Sequence, residues 1–77
     1  MATTTVREDH THWACGRPLR NDPSVACLGG NPMTINICQT CRYPRSVGSE
    51  ALNEIGDQIG TLARVDKNRT EWWRYFA

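Results

Sequence analysis

Four cysteines, Cys15, Cys27, Cys38 and Cys41, stand in a chain of 77 residues whose two histidines are His10 and His12. A chain this short buries only about 60 to 65% of the surface its unfolded form exposes. A disulfide, a metal or oligomerisation must supplement such a core. The N-terminal residues hold no apolar run that could serve as a secretory signal, and no stretch approaches the length of a transmembrane helix. The expectation is therefore a cytoplasmic protein without membrane contact. In a reducing compartment the cysteines read as metal ligands rather than as a disulfide framework.

Zinc takes four tetrahedral thiolate or imidazole ligands, usually delivered as two pairs with short internal spacing. Cys38-Gln39-Thr40-Cys41 is one such pair, and His12-Trp13-Ala14-Cys15 has the same spacing with histidine in first place. The expected ligand set is His12, Cys15, Cys38 and Cys41 around one structural zinc ion. Cys27 is the alternative ligand; having no partner at short spacing, it otherwise reads as a small buried hydrophobe. His10 is a solvated residue that could stand in as a ligand. A redox role for the C-x-x-C pair would need a thioredoxin-like βαβ chain, and an iron–sulfur cluster would need all four cysteines.

The run His12-x-x-Cys15-Gly16-Arg17-Pro18-Leu19 resembles the zinc knuckle of the zinc-ribbon and treble-clef families, C-x-x-C-G-x-x-L, with His12 in place of the first cysteine. The resemblance covers residues 12–45. It implies a structural zinc site covered by Leu19, with Gly16 easing the turn that aims backbone amides at sulfur. The second pair departs from the pattern, because Arg42 follows Cys41 where a knuckle has glycine. Pro44 disfavours a helix beginning there, so a ribbon-like hairpin is expected rather than a treble clef.

Along the chain, residues 1–9 are threonine-rich and aperiodic and read as a flexible tail. Residues 10–47 read as the zinc-knuckle module. Within it, 24–28 and 33–38 are strand candidates joined by Gly29-Gly30-Asn31-Pro32 as a hairpin. In residues 48–69, Leu52, Ile55, Ile59 and Leu62 recur at three and four residues, which predicts an amphipathic helix capped by Ser49. Gly56 and Gly60 each cost that helix about 1 kcal/mol. They would let another backbone approach, either the hairpin or the same helix of a second copy in a homodimer. Residues 70–77 hold Trp72, Trp73, Tyr75 and Phe76, which read as the missing core or as an anchor for a partner. The fold class expected is a small zinc-stabilised α+β domain.

A structural zinc site leaves no coordination position for substrate, and no Ser-His-Asp or paired-carboxylate arrangement stands out. The sequence therefore reads as a non-enzymatic regulator or adaptor that binds a larger protein, with transcription machinery among the partner classes. The alternative is nucleic-acid binding through Arg17, Arg20, Arg42 and Arg45, with exposed aromatics such as Tyr43 stacking on bases. A net charge of +1 and a pI near 7.7 fall short of the pI above about 9 usual for nucleic-acid modules. The basic surplus also has a second use, since three thiolates and one imidazole on Zn²⁺ leave a site charge of about −1 for arginines to offset.

Overall fold

The computed structural model describes residues 1–76 and shows six β-strands and, among those residues, no helix. The strands are β1 (Ala2–Thr3), β2 (His12–Ala14), β3 (Gly30–Pro32), β4 (Glu50–Leu52), β5 (Gln58–Val65) and β6 (Glu71–Tyr75). They form one sheet in the order β1-β6-β5-β4-β2-β3, and every pairing is antiparallel. The α+β expectation is thus corrected to all-β. Ala2 and Thr3, read from composition as part of a tail, pair with Arg74 and Trp73.

The helix expected over 48–69 is two strands and a turn. Leu52 ends β4, while Ile59 and Leu62 lie in β5, so their spacing at three and four residues spans a hairpin. The turn is built on Asn53. Its Oδ1 accepts from the amides of Ile55 and Asp57, its carbonyl accepts from Gly56, and its amide donates to Asp57 O. Gly56 sits at φ +92°, a conformation that L side chains adopt at a cost. Gly60 has a different reason: a Cβ there would meet Arg74 O at 2.6 Å, because β6 crosses close by. The two glycines therefore serve a turn and a strand contact, and the helix pairing on which a homodimer was expected does not exist.

A second hairpin loop, between β5 and β6, repeats the construction with Asp66. Its Oδ1 accepts from the amides of Asn68 and Thr70, and Arg69 takes the left-handed position at φ +65°. Two similar loops thus fix the register of β4, β5 and β6, since loop geometry sets hairpin register.

Alternation then assigns faces. Trp13 pairs with Ala51, Ala51 with Gly60, and Leu62 with Trp73, so these residues share one side of the sheet. Trp13, Leu62 and Trp73 are fully buried there and form one core cluster with Cys15, Cys38 and Ala51. The core therefore continues directly into the cysteines.

Arg45 fastens the loops of residues 33–45 to the sheet. Its Nε and Nη2 donate to Oε2 and Oε1 of Glu71 on β6, both at 2.7 Å, and Nη1 donates to Ile35 O at 3.3 Å. The guanidinium carbon lies 5.0 Å from the centre of the Trp13 ring. A buried arginine needs this much partnering, because an unpaired charge in such a place is costly.

Candidate metal centre

β2 and β3 are the base of a longer, irregular hairpin. Beyond the regular ladder, Cys15 N donates to Gly29 O, Leu28 N to Cys15 O, Cys27 N to Arg17 O and Leu19 N to Val25 O. Pro18 and Ala26 form an isolated bridge in the same ladder. The hairpin expected between 24–28 and 33–38 is therefore corrected: residues 25–32 pair back onto 12–19. This pairing sets Cys27 across from Arg17 and Cys15 across from Gly29, two residues apart along the ladder, so a cysteine with no neighbour in sequence acquires one in space.

A smaller loop supplies the second pair. Cys38 N donates to Tyr43 O, Arg42 N to Cys38 O and Arg45 N to Asn36 O, which folds Cys38-Gln39-Thr40-Cys41 into the tip. Thr40 N points at Cys38 Sγ, 3.4 Å away, as in a knuckle that stabilises thiolate. Arg42 takes φ +67° where a knuckle usually places glycine, and Leu28, the residue after Cys27, takes φ +52°. Non-glycine residues in that region are uncommon and cost of order 1–3 kcal/mol each. The metal-binding geometry gives this strain a reason.

The four sulfurs of Cys15, Cys27, Cys38 and Cys41 lie within 4.8 Å of one another. Cys15 Sγ is 3.6 Å from Cys41 Sγ, and Cys27 Sγ is 3.8 Å from Cys38 Sγ. A tetrahedron with metal–sulfur bonds of about 2.3 Å has an edge of about 3.8 Å. The two closest sulfur pairs thus already stand at ligand-to-ligand distances, and all four thiols are free of disulfides. The arrangement is a cysteine cluster that could hold a metal ion.

His12 is not in the cluster, and the expected set with His12 is corrected to one with Cys27. In an extended strand residues i and i+3 point to opposite faces, so β2 turns His12 away from the side where Cys15 meets the core. The imidazole Nδ1 instead bonds Thr11 Oγ1 at 2.8 Å, and the ring lines an open cleft with Asn31, Gln39 and Ile55. A H-x-x-C pair can share one metal only if the intervening residues turn, and here they form a strand.

His10 is also displaced from its expected place. It is buried, its Nδ1 lies 2.7 Å from Tyr75 Oη, and its ring meets Trp73 edge-on at 4.4 Å. Burial, then the Arg45 charge, hold its pKa down to about 4, against smaller opposing effects of Asp9 and Glu71. It is a neutral core histidine.

Burial pushes the Cys15 thiol up to about 12 and also raises Cys27. Burial acts the same way on Cys38, but the amides of Cys41 and Thr40 and the Asn31 side chain outweigh it and hold Cys38 down at about 6. Asn31 is the site residue that sequence reading missed. Fully buried on β3, it accepts from Gln39 N at 2.8 Å and donates to Gly29 O at 3.0 Å, which ties the knuckle to the long hairpin. The signal was an asparagine inside a Gly-Gly-Asn-Pro run, where turn chemistry offered a simpler account.

The other expected binding residues divide by burial. Arg45 and Trp73 are buried, and Tyr75 and Trp72 are half-buried. Trp72 packs beneath Arg64, with the guanidinium 5.6 Å from its ring centre. Arg20, Arg42, Tyr43 and Phe76 are exposed. Arg17 stacks on Tyr43 at 3.7 Å, and the pair lines a cavity of about 220 Å³ together with Leu19, Arg20, Thr40, Cys27 and Cys41. Leu19 lines the same cavity as Cys27 and Cys41. No protein-family model, curated protein or solved structure matches the chain.

Proposed function

We propose that the cysteine cluster holds one structural zinc ion and that the chain acts as a non-enzymatic adaptor for a larger protein, transcription machinery among the partner classes. The tetrahedral spacing of the four sulfurs carries the zinc reading, since four thiolates suit zinc and close its coordination shell. Deprotonated Cys38 gives the ion a first anchor, and its binding displaces protons from the remaining thiols.

The adaptor reading draws support from the surface these loops display. Val25, Leu28, Ile37 and Tyr43 are large exposed side chains on the segments that carry the cysteines, with Arg17 and Arg20 beside them. Apolar and aromatic residues with arginine are the usual composition of an interface. Burial of Arg45 and Trp13 removes one arginine and one aromatic from the set that a nucleic-acid surface would use. Two measurements test the proposal. Elemental analysis of purified protein should give one zinc per chain. Affinity capture should retain one protein with or without nuclease and lose it with Arg17→Glu/Tyr43→Ala; retention that nuclease abolishes would instead establish nucleic-acid binding.

A further inference from the structure

We infer that Cys27 and Cys41 are sites of peroxide oxidation, each resolved by the buried cysteine in contact with it, so that oxidation releases the metal. The inference rests on the zinc reading above. Its ground is an asymmetry within the cluster. Cys15 and Cys38 are fully buried and belong to the core, whereas Cys27 and Cys41 are half-buried and both line the 220 Å³ cavity beside Arg17 and Arg20. A small oxidant entering that cavity meets only these two sulfurs. Each of them touches a buried one, Cys41 with Cys15 at 3.6 Å and Cys27 with Cys38 at 3.8 Å. The two closest sulfur contacts therefore each join a half-buried sulfur to a buried one.

The chemistry balances with hydrogen peroxide as the oxidant. The accessible thiolate attacks one peroxide oxygen: an S–O bond forms, the O–O bond breaks, and hydroxide leaves to become water on taking a proton. The cysteine is then a sulfenic acid. The neighbouring thiolate attacks that sulfur, an S–S bond forms, the S–O bond breaks, and a second hydroxide leaves as water. Each pair loses two electrons to one peroxide, so two peroxides and four protons convert four thiolates into two disulfides and four waters. To reach a bond of about 2 Å, each sulfur pair need close by less than about 2 Å. Disulfide sulfur no longer carries the thiolate charge that holds zinc, so the ion departs as the ligands are consumed.

The test uses the zinc-loaded full chain. Brief alkylation with iodoacetamide should label Cys27 and Cys41 before Cys15 and Cys38, read by peptide mass spectrometry. Peroxide titration should release zinc to a chromogenic chelator at two peroxides per ion. Peptide mapping should then show Cys15–Cys41 and Cys27–Cys38 disulfides. A Cys38–Cys41 disulfide, equal labelling of all four sulfurs, or zinc retained at peroxide levels that oxidise glutathione would each overturn the inference. Protein that holds no zinc before peroxide is added would overturn the metal reading itself, an outcome visible before the oxidation begins.

Discussion

Residues 15–48 and residues 49–76 are of similar length but are held together by different means. The second segment is two hairpins whose ladders each carry one register shift, closed by the matched Asn53 and Asp66 loops, and it contributes Leu62 and Trp73 to the core. The first has only a three-residue strand and isolated bridges, and it leaves Val25, Leu28, Ile37 and Val47 exposed. Its inward-facing residues are chiefly the cysteines. Where one half uses apolar area, the other brings together four cysteines that could hold a metal ion; a cation joining two loops that bury little is a usual remedy in very small domains.

The strongest way to break that comparison is to remove the metal. Cys27→Ser should abolish high-affinity zinc binding, measured by competition titration, and with it the cooperative melting transition, because binding free energy in such domains is folding free energy. His12→Ala should leave zinc stoichiometry and affinity unchanged. If the two variants behave the other way round, the ligand set is wrong.

Trp73→Ala tests the apolar half. A loss of about 3–5 kcal/mol is expected by denaturant unfolding, with the zinc stoichiometry of the folded protein intact. Glu71→Ala tests the tie between the halves: it leaves the Arg45 guanidinium buried without its carboxylate, which should cost about 3 kcal/mol. Amide exchange should then rise in residues 33–45 more than in β5.

The smallest effect concerns pH. The folded His10 pKa of about 4 lies below the ordinary 6.5, so the unfolded chain binds this proton more readily between those values. The stability due to neutral His10 is complete above that window and is lost as pH falls through it. His10→Gln should therefore show a stability difference from wild type that shrinks from neutral pH toward pH 4. A difference that does not change with pH would mean that His10 titrates alike in the folded and unfolded states.

Parts of this were legible in the sequence. The C-x-x-C pair as part of a cysteine cluster and the core role of Trp73 follow from residue type and local spacing. The helix was misread because Leu52, Ile55, Ile59 and Leu62 satisfy a helical period by accident of a turn placed between two strands. Ile59, Thr61 and Val65, β-branched and alternating, carried the strand signal. Gly56 and Gly60 carried the warning against a helix.

By itself the sequence pointed to a metal as the supplement to a small core and to cysteine as the residue type that would hold it, since a chain of this size lacks core. Only the tertiary structure decided that Cys27 and not His12 completes the set. Ligand spacing in sequence predicts proximity only when the intervening chain turns. Here residues 12–14 are extended, which sends His12 and Cys15 to opposite faces, while a long hairpin folds Cys27 back across from Arg17, two residues along the ladder from Cys15.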